Sequence, residues 1–332
     1  MIKLLIIVSV VTMPTMAFSS NQVGTITQIE NEAKIFSHPG KNVQGPPPHA
    51  LYEGEYYSVK DAKVGDRLEN GNIVRTAPGG KARIVYDNGD QFNLGSGTAY
   101  RVFWDKNSTK PKINLMYGKL RGIVEKGGPR GRLTIRTRTA TMGVRGTDFF
   151  IAEGGPGGGT EVSILRGAVE VKPELPKAKS VEVKAGYSAE ILPSKKPEIE
   201  KQKERQNLEQ AIAPVVELRR TTKEDLTAIK RSSEVKIEIK REIALTDEVS
   251  KKVEQLETKA VETTLKDIKK SDPKLFAQIQ DKPIKTTEEL NAKAVDNLMK
   301  NAPKAPAKRK PYKSELEDLE SGAYEKYFKI VD

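Results

Sequence analysis

Thr134-Ile135-Arg136-Thr137-Arg138-Thr139-Ala140-Thr141-Met142-Gly143-Val144-Arg145-Gly146-Thr147-Asp148-Phe149-Phe150 is the stretch whose reading decides this chain. From Leu133 onward the odd positions are Leu, Ile, Thr, Thr and Thr, and the even positions carry Thr134, Arg136, Arg138 and Ala140. Such alternation is the repeat of a strand, and it puts the two arginines on one face. Gly143 and Gly146 bracket Val144-Arg145. Glycine accepts positive φ, so the spacing predicts a tight turn at 143–146 between two strands.

Outward from this stretch the same texture continues through residues 64–192. Ala82, Ile84 and Tyr86 alternate with Lys81, Arg83 and Val85, and Phe92 and Leu94 continue that face. Asp87-Asn88-Gly89-Asp90 between them is a hairpin signal, since Asn-Gly suits the positive-φ positions of a two-residue loop. Ile113, Leu115 and Tyr117 alternate, as do Val162 and Ile164, Val169 and Val171, and Val181 and Val183. Short strands separated by Gly-rich turns predict a mainly β domain, either a β-sandwich or a coiled β-roll. Residues 18–63 form a lead-in of strand-like runs, interrupted by the exposed insertion Gly45-Pro46-Pro47-Pro48-His49.

The segment now resembles the FecR domain family. The residues that carry the resemblance are Gly65-Asp66; Thr76 with Gly79-Gly80 and Ala82; Asp87 to Gly89; Tyr117-Gly118-Lys119-Leu120; Ala140-Thr141; Val144-Arg145-Gly146-Thr147 with Phe149; and Leu165-Arg166-Gly167-Ala168-Val169. They occur in the family's order and span residues 64–173. The resemblance implies a β-rich exported domain without known catalytic residues. Its namesakes are membrane regulators with a cytoplasmic segment that binds a sigma factor, a single span, and this domain in the periplasm. Here a signal peptide stands where the span would be, so the resemblance implies a stand-alone exported member.

That signal peptide is read at residues 1–17. Lys3 supplies the positive start, residues 4–11 are apolar apart from Ser9, and Thr15-Met16-Ala17 ends in small residues after Pro14. The apolar run is too short for an ordinary membrane span. The expected location is the periplasm or beyond, with no transmembrane segment after cleavage.

After residue 192 the composition changes. Residues 193–200 are a Pro/Lys/Glu linker, and residues 201–300 are charged and predicted to be helical. Leu208, Ile212, Val215 and Val216, and then Val249, Val253, Leu256 and Ala260, recur at helical spacing. A coiled coil is one reading of that thin stripe. Val235, Ile237 and Ile239 alternate and leave a strand open there. Thr286-Thr287-Glu288-Glu289 has capping-box spacing and predicts a helix reaching Lys300. Residues 301–332 are a basic linker and a terminal helix over 314–330, with Tyr324, Tyr327 and Phe328 near its end. The pattern leaves open whether the helical region packs on the strands.

The chain has 332 residues, a net charge of +12 and no cysteine. The missing thiol excludes disulfides, thiolate metal sites and a cysteine nucleophile. His38 and His49 are the only histidines, both beside Pro/Gly loops, and read as solvated. No catalytic, cofactor or metal constellation is read, and no cofactor is expected. The excess of positive charge favours anionic partners. Arg130, Arg132, Arg136 and Arg138 form the candidate anion- or partner-binding face, while Val144, Arg145, Gly146 and Thr147 read as a fold-defining turn supported by Arg145. Nucleic acid is not expected, since the basic segment lacks interleaved aromatics for stacking. The expected function is a non-enzymatic protein-interaction or scaffolding module of the cell envelope, linked to envelope signalling. The alternative is a module binding peptidoglycan or another anionic envelope polymer.

Overall fold

The computed structural model describes residues 22–103, 112–126, 132–154, 158–174, 178–192, 216–235, 246–280, 283–284, 286–304 and 328–331. The signal peptide, the 193–200 linker, Ile237, Ile239 and most of the expected terminal helix lie outside the described residues. The chain is mainly β, with a helical region following the strands.

The strands form one large mixed sheet with two arms that share strand β10 (Lys112–Ile123). The first arm runs, in hydrogen-bonding order, β5 (Arg67–Glu69), β1 (Gln22–Glu30), β7 (Lys81–Tyr86), β8 (Gln91–Leu94), the second half of β10, β13 (Asp148–Glu153), β14 (Thr160–Arg166), β17 (Tyr187–Ile191) and β18 (Val216–Arg220). The second arm runs β19 (Lys329–Val331), β3 (His49–Tyr52), β4 (Glu55–Asp61), β2 (Ala33–Gly40), β6 (Ile73–Thr76), β9 (Ala99–Phe103), the first half of β10, β11 (Leu133–Arg136), β12 (Ala140–Val144), β15 (Ala168–Pro173) and β16 (Val181–Lys184). Neighbours are antiparallel except β10 and β11. β10 changes arm at Gly118, whose φ is +94°. A Cβ there would lie 2.5 Å from Thr98 Cα, so the corner needs glycine for its dihedral and for its space.

Alternation along the strands sends one set of side chains inward. Ile26, Ile84, Phe92, Leu94, Leu120, Phe149, Ile151 and Val162 of the first arm and Ile35, Val74, Val102, Ile113, Ile135, Met142 and Val171 of the second lie in one apolar core. Residues 22–61 are woven into both arms: β1 pairs with β5 and β7, and β2 with β4 and β6. The Asn88-Gly89 turn joins β7 to β8, with Gly89 at φ +94°. The Pro-rich insertion is exposed between β2 and β3.

Four helices follow among the described residues: α1 (Lys223–Ser233), α2 (Asp247–Ser271), α3 (Pro273–Ile279) and α4 (Thr287–Asn301). Thr286 caps α4 by accepting from Glu289 N–H, as its spacing predicts. Thr222 and Asp225 form a reciprocal capping box at α1. The buried residues of α2, which are Ala260, Val261, Thr264, Asp267 and Ile268, fall on one face. The helix meets α3, α4 and strands β1 and β7. Phe150, Ala152 and Leu165 of the first arm pack against Leu226, Ala228, Ile229 and Val295, so the helical region lies on the outward side of that arm.

Three expectations are corrected. The predicted strand from 134 to 141 is a hairpin: β11 ends at Arg136, Thr137 Oγ1 accepts from Ala140 N–H at 3.1 Å, and β12 returns with Arg136 opposite Thr141. Gly143 therefore lies within β12, and 145–147 is a crossover from the second arm to the first, because Val144 and Phe149 must both reach the shared core. Val216 belongs to a strand, within the region expected to be helical: residues 216–220 satisfy the open backbone edge of β17. Residues 329–331 are likewise strand rather than helix, paired to β3.

Candidate functional site

The sequence-predicted arginine face lies on β11 and its surroundings. Arg132 precedes β11 and donates to Glu170 on β15 at 2.5 Å. Arg136 ends β11 and sits 3.5 Å from Glu174. Arg138, in the hairpin turn, lies 3.4 Å from Glu153 and donates to the Gly158 carbonyl. Arg130 lies outside the described residues. The three described arginines are exposed and each has a carboxylate beside it. The hydrogen bond from Arg132, with a second from Ser180, holds the Glu170 carboxyl below its ordinary range. The face is thus a mixed-charge surface, not a purely cationic one.

The Val144-Arg145-Gly146-Thr147 segment is built as structure. Val144 is in the core, Gly146 has φ +67°, and Arg145 is exposed. Thr147, not Arg145, supports the crossover. Its N–H donates to Val124 carbonyl at 3.0 Å, Val124 N–H returns the bond at 2.9 Å, and its hydroxyl donates to Ala168 carbonyl at 3.2 Å. The supporting role expected of Arg145 falls instead to Thr147, whose short side chain reaches the neighbouring carbonyl, while Arg145 is exposed.

Sequence reasoning missed a second arginine system, on the helix-covered side of the first arm. Arg83 on β7 is fully buried. It donates to Asn93 Oδ1 at 3.0 Å, to Thr287 Oγ1 and to Glu288, with Glu257 3.8 Å away. Arg121 on β10 makes a two-pronged pair with Asp148 on β13, at 3.0 and 2.8 Å, and reaches the Asn291 carbonyl of α4. Arg166 on β14 donates to Asp267 of α2 at 2.7 Å. Arg219 on β18 bridges Glu161 of β14 and Asp225 of α1. Lys81 donates to the Arg231 and Glu234 carbonyls at the end of α1, where backbone acceptors lack helical partners. Buried charges persist in proteins when paired and hydrogen-bonded, and these are. The available signal was weak: Lys81, Arg83, Gln91 and Asn93 are the outward alternates of their strands, which is also the signature of a solvated face.

A third feature lies at the far edge of the second arm. Phe328 is buried against Phe36 and Tyr52, with ring centroids 4.7 and 4.9 Å away. A cleft of about 190 Å³ adjoins it, bordered by Glu32, Lys34, His49 and Arg75. His49 opens β3 and lies 3.2 Å from the Gly45 carbonyl, while His38 is exposed at the end of β2, 3.0 Å from Ser37 Oγ. Among the described residues no group of three or more His, Cys, Asp or Glu side chains is placed to hold a metal. No described helix is long and apolar enough to cross a membrane.

Residues 72–170 carry a FecR domain, matching the family model described as FecR protein. Two crystal structures of a candidate anti-sigma factor from Parabacteroides distasonis ATCC 8503, at 1.65 and 2.50 Å resolution, are similar to this chain at 16% identity and a TM-score of 0.37. The similarity covers 47% of this chain and 63% and 62% of those chains. This chain thus spans less than two thirds of the length of the solved relatives it matches. No curated protein matches it.

Proposed function

We propose that this chain is an exported, non-enzymatic FecR-domain protein that acts by binding a protein partner in the cell envelope, within a signalling system, with residues 1–17 as its signal peptide. The FecR match over residues 72–170 supports the class. The observation that carries the choice of a protein partner is the pairing of the exposed Arg132 and Arg136 with the accessible carboxylates of Glu170 and Glu174. Interleaved charges match a partner surface that also carries both signs, and they set register and exclude wrong partners. A uniform polyanion would meet the carboxylates as repulsion.

The polymer-binding reading draws on the net charge of +12. Envelope extracts and purified cell wall separate the two readings. A defined protein captured by the wild-type chain and lost with Arg136→Glu/Arg138→Glu supports the proposal. Sedimentation with cell wall that disappears at high salt, with no protein captured, overturns it in favour of the polymer.

A further inference from the structure

Phe328 sits on an apolar patch that is distinct from the main core. The patch is formed by Phe36 on β2, Tyr52 on β3, Tyr57 on β4 and Ile73 on β6, each buried. Phe328 is 4% exposed, so its ring is seated in the patch and not merely laid across it. Arg75 lies over the face of the ring, 5.7 Å from its centroid. The next three residues form β19, with Lys329 opposite Leu51, Ile330 opposite Ala50 and Val331 opposite His49. An aromatic side chain in a slot, followed by backbone pairing to a sheet edge, is the way an added strand is recognised: main-chain bonds hold it and the slot selects its sequence.

We propose that the β3 edge and the Phe36–Tyr52 slot form a docking site for an extended peptide of a partner protein. That peptide carries a large aromatic residue followed directly by residues that pair as a strand. Residues 328–331 are the internal ligand that holds the site until such a peptide displaces them. Three observations support displacement. β19 is an edge strand whose three described residues pair with β3 alone, whereas an interior strand such as β13 pairs on both sides. Among the described side chains of the segment, Phe328 is the one seated in the patch. The cleft of about 190 Å³ beside Phe328 leaves room for a larger aromatic or a longer peptide, with Glu32, Lys34, His49 and Arg75 at its border to read polar groups. The site is separate from the arginine face, and the proposal stands whether or not that face binds a partner.

The test uses a fluorescent peptide of residues 325–332 (Glu-Lys-Tyr-Phe-Lys-Ile-Val-Asp) and the full chain. Phe328→Ala removes the internal anchor and should bind the peptide with a saturating rise in anisotropy. Wild type should bind it roughly tenfold more weakly or worse, because its own segment competes at an effective concentration on the order of millimolar. Adding Phe36→Ala to Phe328→Ala should abolish binding by removing the slot wall. A folded Phe328→Ala chain that does not bind overturns the proposal, as does equal binding by all three proteins. If Phe328→Ala does not fold, hydrogen exchange on the wild-type chain decides. Opening of β19 at a lower free energy than β13 and β14 supports a displaceable strand, and exchange of β19 only through global unfolding overturns it.

Discussion

The protein carries two sets of arginine–carboxylate pairs, one beneath the helices on the first arm and one around β11 and β15 of the second, and they differ in what covers them. On the first arm Arg83, Arg121 and Arg166 lie beneath helices, and the Arg121–Asp148 side chains are 3% and 6% exposed. On the second arm the Arg132 and Glu170 side chains are 49% and 46% exposed. The same chemistry serves opposite ends. Under the helices, water cannot replace a lost partner, so each pair ties a helix to a strand or one strand to the next. On the open arm water competes with the Arg132–Glu170 and Arg136–Glu174 pairs, and those charges can exchange one partner for another, whereas the Glu153 partner of Arg138 is buried. A binding face belongs on the second kind of surface, since its ion pairs can be traded at little cost.

The sharpest way to break this contrast is to remove one partner from each set. Arg121→Ala leaves Asp148 buried without its two-pronged donor, and the expected loss is about 3–5 kcal/mol in urea denaturation. A loss under about 1 kcal/mol, the range of exposed pairs, would erase the distinction. Replacing both partners, as Arg121→Met/Asp148→Leu, should recover most of the stability, because the cost lies in the orphaned charge.

Next in size is the junction between the arms. Gly146→Val forces a β-branched residue to φ +67° and sets its Cβ 2.5 Å from Lys126 Cβ. The backbone strain alone is worth about 1–3 kcal/mol. An unchanged thermal melt would show that the crossover is not pinned at this glycine.

A smaller effect tests the covered arm by pH. Partial burial, and then the nearby Asp267 carboxylate, raise the Glu125 carboxyl above its ordinary range, against Lys270, Lys259 and Lys266. The folded chain therefore holds this proton to higher pH than the unfolded chain does. The stabilisation is full below the ordinary pKa and is lost as pH rises through the raised folded value. Glu125→Gln should remove that loss, so that as pH rises from the ordinary carboxylate range through the raised folded value its melting temperature gains relative to wild type. A difference that does not change with pH would remove Glu125 from the account.

The smallest effect is expected on the open arm. Arg132→Ala should lower the melting temperature only slightly near neutral pH: Arg132 holds the Glu170 carboxyl low, but both side chains are about half exposed. For a depressed carboxyl the stabilisation is present above the ordinary pKa and is lost as pH falls through the folded value. The small loss with Arg132→Ala should therefore be present near neutral pH and vanish as pH falls through that folded value, which makes the acid limb of the stability curve shallower. A large loss at neutral pH would show that this set, too, is structural.

Much of the β architecture can be read from alternation. The inward residues Ile84, Phe92, Leu94, Ile113, Leu115, Val162, Ile164, Val169 and Val171 are all in the core. Turn and cap chemistry was legible where it is local, as at Asn88-Gly89 and Thr286. The hairpin at Thr137 was not, because threonine carries no turn signature and its hydroxyl acts only once Ala140 has folded back. Arg132, Arg136 and Arg138 are exposed, yet their carboxylates lie on or beside other strands and nothing near them in the chain announces the pairing.

By itself, then, the sequence determined which face of each strand is apolar, where glycine-dependent and capped turns fall, and that a charged region able to form helices follows the strands. Tertiary structure alone decided that the polar outward face of the first arm is buried, that residues 216–220 and 329–331 are strands, and which arginines are structural. The reason is range. A side chain's polarity and period are set within a few residues, but its burial depends on what arrives from elsewhere: Arg83 meets Glu288 across 205 positions, and Arg166 meets Asp267 across 101. An arginine beside water and an arginine beneath a helix have the same local pattern, and only the helix distinguishes them.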